Sequence, residues 1–373
     1  MKILFVVTSD MTVATFLAPQ VQLLQARGHE IRVLSGRDSH RADKISERWH
    51  AYISCDRSIA SPGDVRAVGQ IAWHLSSFSP DLIVAATPKA SLLAAVSARF
   101  RRPSLPVVHL LWGLRSQTMS GLKGALVRRM ERLTFALSSA VVANSGSLAA
   151  EVTRQGYAPA EKVHVLANGS SHGVNVERFR PREVRRTKGM PFTVGFVGRV
   201  STDKGVPELL KAMEILSGRI EDIRLRIVGP VEEPASLVGA DQLGSVTVEG
   251  PTDVGASTYW DLDVVCLPSY REGFPNVCLE AASCALPVVV SDATGCRDAV
   301  LDGVTGLRVP VGDPAALAAA FLDLAHDRAR GERMGAAGRQ WVLDFFEEGD
   351  VLDHYADFYE ESIRSFHMRP ATL

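Results

Sequence analysis

The chain has 373 residues, 46% hydrophobic and 22% charged, a globular balance over a length that suits two domains better than one. No apolar run approaches the roughly 20 residues of a membrane-spanning helix, and the opening Met1–Asp10 is too short for a signal peptide and reads as a first buried strand. The net charge of −1 hides a split: residues 1–180 carry 22 Lys+Arg against 12 Asp+Glu (+10), and residues 181–373 carry 19 against 30 (−11). A basic first half points to an anionic partner or to a solvated surface, whereas nucleic acid is not expected, because no binding motif or stacking aromatic cluster accompanies the charge.

In chain order, short runs rich in Val, Ile and Leu predict buried strands at Ile3–Val7, Ile31–Leu34, Leu82–Ala85, Val107–Leu111, Val141–Ala143 and Val163–Leu166. After the Pro- and Arg-rich stretch 181–191, a predicted linker, come Thr193–Val197, Arg224–Val228, Val246–Val248, Val264–Leu267 and Pro287–Val290. Helical patterns lie between many of them, and this alternation reads as α/β architecture with parallel sheets covered on both faces. The expected organisation is a first Rossmann-like domain over 1–180, a second over 192–350, and a last helix within 351–373 packing across their junction. In such doubly wound domains a ligand lies at the carboxyl ends of the strands, here in a cleft between the two. The five cysteines (Cys55, Cys266, Cys278, Cys284, Cys296) are odd in number and form no Cys-x-x-Cys pair, which points to a reducing cytoplasm and away from a zinc site or a disulfide framework.

Two segments carry chemistry. Val194-Gly-Phe-Val-Gly-Arg199-Val-Ser-Thr-Asp-Lys204-Gly follows a strand and leads into a helix. Gly195 and Gly198 allow close backbone approach, and Lys204 falls near a helix N-terminus, where phosphate oxygens are welcome. Arg199 can grip phosphates bidentately and Lys204 act as a point charge; a surface turn with ordinary cations is the plain alternative. The second segment is Pro268-Ser-Tyr-Arg-Glu272-Gly-Phe-Pro-Asn-Val-Cys-Leu-Glu280. It reads as strand, loop, then a helix over 277–285, with Pro275 at its start. Glu272 and Glu280 suit sugar and ribose hydroxyls, although Glu280 alone would pass for a helix-terminus acid.

The full string resembles the Glu-x7-Glu motif of the family 4 retaining glycosyltransferases, which have the GT-B fold. The likeness extends to Gly295, to Asp302-Gly-Val-Thr-Gly306-Leu and to Asn168–Phe179, and covers nearly the whole chain. It implies that Arg199 and Lys204, with Gly198, hold the donor pyrophosphate. By the same likeness Glu280 binds ribose and Glu272 the donor sugar, the loop Gly273, Phe274, Pro275 and Asn276 lines the donor, and the backbone near Thr252 and Asp253 meets the base. Arg199, Lys204 and Glu272 are then the catalytic candidates, with no metal and no cofactor beyond the nucleotide-sugar substrate.

In this family the first domain takes the acceptor. Thr87-Pro-Lys89-Ala and Leu111-Trp112-Gly-Leu-Arg115-Ser-Gln-Thr118 each end a predicted strand and resemble a branch that builds bacterial exopolysaccharide, capsule or O-antigen on a polyprenyl-diphosphate carrier. Thr87, Lys89, Trp112 and Arg115 are the acceptor-side candidates; Lys89 and Arg115 either meet acceptor phosphates or are a helix cap and a surface cation. Trp112-Gly113 stands where many relatives have His-Gly. His109 reads as buried structure, and His172 and Asn175 replace an Asn and an Asp of the related pattern. Leu122, Leu126, Met130, Leu133 and Leu137 recur at helical spacing, with Lys123, Arg128, Arg129 and Arg132 between them. The expected helix packs its leucines on the domain and offers its cations to the anionic inner membrane surface.

The resemblance therefore implies transfer, with retention, of a hexose or N-acetylhexosamine from a nucleotide-diphosphate sugar, with UDP as the expected nucleotide. The expected acceptor is a lipid-linked or other glycan, and the enzyme would be cytoplasmic and peripheral to the membrane. A nucleotide-sugar epimerase of the same fold, a glycosyltransferase acting on a soluble acceptor and a non-catalytic sugar-nucleotide sensor are the rivals; a glycoside phosphorylase lacks a pyridoxal-phosphate lysine context. Asp261-Leu-Asp263 matches an Asp-x-Asp metal motif but precedes a predicted strand, and reads as a helix-to-strand turn.

Overall fold

The computed structural model describes residues 1–37, 48–56, 58, 61–183, 189–220, 222–251 and 254–367. They form two compact units, Met1–His172 with Val351–Leu373, and Gly173–Asp350.

The first unit runs β1 (Lys2–Val7), α1 (Asp10–Thr12), α2 (Ala18–Ala26), β2 (Glu30–Ser35), β3 (His50–Tyr52), α3 (Gly63–Ser77), β4 (Leu82–Ala86), α4 (Pro88–Arg101), β5 (Val107–Leu111), α5 (Gly121–Leu137), β6 (Ala140–Ala143), α6 (Gly146–Arg154) and β7 (Val163–His164). Its sheet is parallel, in the order β3-β2-β1-β4-β5-β6-β7. The two-residue period of β1 sorts its side chains. Ile3, Phe5 and Val7 enter one core with Leu17, Val21 and Leu24; Leu4 and Val6 enter another with Ile71 and Leu75 of α3 and Ala94 of α4. Both faces are covered, which is why the central strands read as unbroken apolar runs.

The second unit runs β8 (Phe192–Val197), α7 (Val206–Leu216), β9 (Ile223–Val228), β10 (Val246–Glu249), α8 (Ala256–Tyr259), β11 (Val264–Leu267), α9 (Asn276–Ser283), β12 (Val288–Ser291), β13 (Gly306–Val309), α10 (Pro314–His326) and α11 (Arg328–Phe345). Its six parallel strands take the order β10-β9-β8-β11-β12-β13. This places β8 beside β11, so the loops that leave them are neighbours at the carboxyl edge. The last helix, α12 (Glu348–His367), belongs from Val351 onward to the first unit, where Val351, Tyr355, Tyr359 and Ile363 join the core that contains Phe5.

Three sequence expectations change. The edge strands β3 and β13 carry no long apolar run and escape the buried-strand pattern. The first unit closes at His172, not at residue 180, because Val174, Val176 and Phe179 are buried in the core of the second; residues 184–188 of the expected linker lie outside the described residues. Helix α5 is turned over along most of its length, with Met130 half-buried and Leu137 still packed against the core of α3 and α4. Its buried positions are Gly124, Val127, Glu131, Thr134 and Phe135, while Leu122, Leu126 and Leu133 are exposed at 92%, 53% and 47%. Glu131 is inside because it accepts the Ser116 backbone N–H (3.2 Å), which fixes the helix's rotation against the loop before it.

Candidate active site

The candidate donor residues gather where β8 and β11 give out. After β8 the chain bends through Gly198, makes one 3-10 turn at Thr202–Lys204, and enters α7 through Gly205. Gly205 holds φ at +74°, and a Cβ there would lie 2.1 Å from the Pro268 carbonyl oxygen. Only glycine permits both, and the contact clamps the Lys204 turn onto the loop that follows β11. Gly295 does the same on the other side: at φ +78°, its Cβ would lie 2.5 Å from the carbonyl oxygens of Glu272 and Gly273.

Lys204 and Glu272 thereby meet. The Lys204 ammonium donates to Glu272 Oε1, and both side chains are about 15% exposed, at 15% and 14%. Ser269 Oγ donates to the same carboxylate oxygen at 2.8 Å. Arg199 stands further out. Its guanidinium pairs with Glu232 and lies 3.7 Å from Asp203; burial works against its charge, but these acids outweigh it and its pKa is raised. Glu232 had no signal in the sequence, since nothing there tells which acid of a neighbouring loop reaches the arginine, whereas Asp203 and Ser269 stand within the two motif segments themselves.

Glu280 lies on α9, held at 2.5 Å by the hydroxyl of the fully buried Tyr259. Burial raises its pKa, against the Tyr259 hydrogen bond and the nearby Arg178 charge. Tyr259 sits on α8, ahead of β11, another partner that only the fold supplies. Helix α9 begins at Asn276 with Pro275 at its N-cap and no side-chain cap, so its positive end is left to backbone N–H groups. Of the loop residues, Gly273 and Pro275 are buried, and Phe274 packs into the core against Phe346 (centroids 5.4 Å apart). Phe274 thus offers a ligand only its backbone. Asn276 Nδ2 donates to the Gly173 carbonyl at 3.0 Å. Thr252 and Asp253 lie outside the described residues.

On the first unit, Thr87, Lys89, Trp112 and Arg115 follow β4 and β5 at the carboxyl edge of that sheet. Thr87 has φ +72°, a strained value for a β-branched residue; its Oγ1 accepts the Thr8 backbone N–H at 3.1 Å and meets the Thr8 hydroxyl at 2.5 Å. Lys89 is buried, its ammonium 2.5 Å from Asp64 on the first turn of α3 and 2.8 Å from Asp56 in the loop before that helix, so it is ion-paired with two carboxylates. Arg115 is exposed on a 3-10 turn. Trp112 packs against Phe16 with the rings tilted (centroids 5.3 Å apart) and its indole N–H buried and unpartnered. His109 is buried against Phe135, its pKa pushed down to about 3 by that burial; burial pushes His172 down to about 4, with Ser171 Oγ at 2.8 Å.

Asp261 and Asp263 lie at the opposite, amino end of β11. Asp263 accepts the Thr193 backbone N–H at 2.7 Å and Asp261 pairs with Arg182 at 2.9 Å, so the two acids serve a helix-to-strand turn.

This pair of parallel-sheet units is the GT-B architecture of glycosyltransferases. The sucrose-phosphate synthase of Thermosynechococcus elongatus superposes on 98% of this chain and 100% of its own, with a TM-score of 0.80 and 20% identity. HepE of Anabaena, solved in complex with UDP, does so on 97% and 100% with a TM-score of 0.74 and 20% identity. In sequence, residues 191–327 match the family described as glycosyl transferases group 1, and residues 12–169 match the glycosyl transferase 4-like domain. The chain belongs to this glycosyltransferase family, the family 4 enzymes of GT-B fold. It is 26% identical to the capsular polysaccharide biosynthesis glycosyltransferase CapM of Staphylococcus aureus over 92% of this chain and 93% of that one. Among the described residues no helix is long and apolar enough to cross a membrane, and the five cysteines are free and buried.

Proposed function

We propose that this glycosyltransferase moves a hexose or N-acetylhexosamine from a UDP-sugar to a glycan carried on polyprenyl diphosphate, with retention and without a metal, in cell-surface polysaccharide synthesis. The observation that carries the reading is the convergence of Arg199, Lys204, Glu272 and the uncapped end of α9 at one sheet edge. The full-length likeness to the CapM glycosyltransferase supports the choice of acceptor, and the HepE complex with UDP supports the choice of nucleotide.

The residues divide the work. Departure of the nucleotide diphosphate is the costly event, so catalysis rests on meeting its developing charge. Arg199 and Lys204 supply cations and α9 its N-terminal dipole. A diphosphate draws Lys204 away from Glu272, which frees that carboxylate for the sugar hydroxyls at the moment the ammonium finds a new partner. Glu280, held by Tyr259, accepts from the ribose hydroxyls. In a front-face reaction the departing phosphate oxygen takes the acceptor proton, and no covalent intermediate forms. On the acceptor side Arg115, exposed where Lys89 is neutralised, is the cation for the carrier's diphosphate.

A donor screen tests this: UDP- and GDP-sugars, with and without polyprenyl-diphosphate sugars, read as released nucleotide and glycosylated lipid. Lipid-dependent UDP release with a heavier lipid is the expected result. Donor conversion without acceptor would overturn it in favour of an epimerase, and donor binding without turnover on lipid or soluble acceptors in favour of a sensor.

A further inference from the structure

Helix α5 carries an arrangement that its fold does not use. Its buried face is Gly124, Val127, Glu131, Thr134 and Phe135. On a turn of 3.6 residues, Leu122, Leu126, Arg129 and Leu133 fall on one stripe on the opposite side. Leu122 is 92% exposed, and Phe100, 84% exposed, adds a further apolar group on the last turn of α4, which packs against α5. Lys123 and Arg132 flank the stripe, both exposed. Large exposed apolar residues are ordinary singly, but a row of leucines with cations in and beside it is not.

Among the described residues Lys123, Arg129 and Arg132 form no ion pair, and the Arg132 guanidinium lies over the Tyr157 ring, 5.3 Å from its centroid. The only acids of α3, α4 and α5 are Asp64 and Glu131. Asp64 is held by Lys89 and by the hydroxyl and backbone N–H of Ser61, and Glu131 is buried on the Ser116 backbone. The outer surface of α5 is therefore apolar and cationic.

We infer that the Leu122–Leu126–Leu133 stripe of α5 is a membrane-docking face, lying in the headgroup layer of an anionic bilayer with its leucines at the acyl boundary and Lys123, Arg129 and Arg132 among the lipid phosphates. A second copy of the chain is a poor occupant, because a shared stripe would set Arg129 and its neighbours against their own charge. An anionic bilayer offers both complements at once, apolar depth for leucine and negative charge for the cations. The inference deepens the proposed function, since a lipid-linked acceptor lies in such a surface, yet its test needs no turnover.

The experiment is co-sedimentation of the full chain with phosphatidylcholine vesicles, with and without phosphatidylglycerol, at low and high salt. UDP affinity of each variant is measured by calorimetry as a check of folding. Binding is expected with phosphatidylglycerol and weakened by salt. Leu122→Ser/Leu126→Ser/Leu133→Ser should bind vesicles at least about tenfold more weakly with UDP affinity unchanged, these leucines being exposed. Lys123→Gln/Arg129→Gln/Arg132→Gln should lose about fivefold per cation removed. Three results would overturn the inference: no binding to anionic vesicles, a leucine variant that binds like the parent, or leucines found by sedimentation velocity to hold a dimer. A chain that docks but transfers no sugar would leave this face standing and remove the proposed function; turnover without docking would do the reverse.

Discussion

Lys204 and Glu272 stand 68 positions apart in the chain and meet as an ion pair, brought together because β8 and β11 are neighbours in the sheet and Gly205 lets their loops touch. Each side chain is nearly buried, so this pair sets the electrostatics of the site more than the exposed Arg199–Glu232 pair does. Lys204→Ala should lower kcat/KM by 10- to 100-fold or more, the worth of a charge-assisted hydrogen bond of roughly 1.5–3 kcal/mol. Steady-state kinetics with the donor varied would measure it, and near-normal kcat/KM would remove Lys204 from the mechanism.

Gly205→Ala should fail structurally. Its φ of +74° and the 2.1 Å approach to Pro268 O leave no room for a methyl group, so the turn must open or strain. A loss of about 2–4 kcal/mol is expected, read as a lower denaturation midpoint, with UDP affinity falling too. A substitution at Gly218, which also has positive φ but no neighbour within 4 Å, should cost only the backbone term. Equal losses at both sites would refute the clamp.

Tyr259→Phe should move a pH profile. Burial raises the pKa of Glu280 and the Tyr259 hydroxyl opposes this, so removing the hydroxyl raises it further. Ribose hydroxyls need the carboxylate ionised, and the acid limb of UDP binding should therefore shift to higher pH in the variant. The stability sign is consistent: with the folded pKa raised, the contribution of Glu280 is full below its unfolded value and is lost as pH rises through the folded one. Calorimetric UDP titrations across pH would show the shift, and coincident limbs would deny Glu280 the ribose.

Lys89 and Arg115 should separate. Lys89→Met strands Asp64 and Asp56 and should lower the melting temperature, while the acceptor KM moves little. Lys89 holds the Asp56 carboxyl below its usual range, so the stabilisation is present above the unfolded pKa and is lost as pH falls through the folded one. The variant should accordingly lose less stability on acidification than the parent. Arg115→Ala should raise the acceptor KM at constant melting temperature, and a reversed pattern would make Lys89 the acceptor cation.

Turnover should persist in EDTA, and Asp261→Asn, which loses only the exposed pair with Arg182, should leave kcat within about twofold. Strict Mn²⁺ dependence would assign the acids near β11 a role that their position at its amino end argues against.

The central strands were legible because burial on both faces leaves continuous apolar runs, as at Leu82–Ala86 and Val264–Leu267. The edge strands His50–Tyr52 and Gly306–Val309 were not, because an edge need not be apolar. Arg199, Lys204, Glu272 and Glu280 stood out as residue types at fixed spacing within two strand–loop–helix segments. Their partners Glu232 and Tyr259 did not, since each comes from an element whose proximity depends on strand order.

By itself, then, the sequence determined the parallel α/β class, the strand-and-helix rhythm and the chemical types offered at the carboxyl edge, because these follow from local periodicity and glycine placement. Only the tertiary structure decided which charges meet and which way a helix faces. Lys89 went to two aspartates and Lys204 to Glu272, and Leu122, Leu126 and Leu133 of α5 turned outward because Glu131 and Phe135 turned in. Spacing along a helix defines a stripe; it takes the neighbours of that helix to say which stripe is buried.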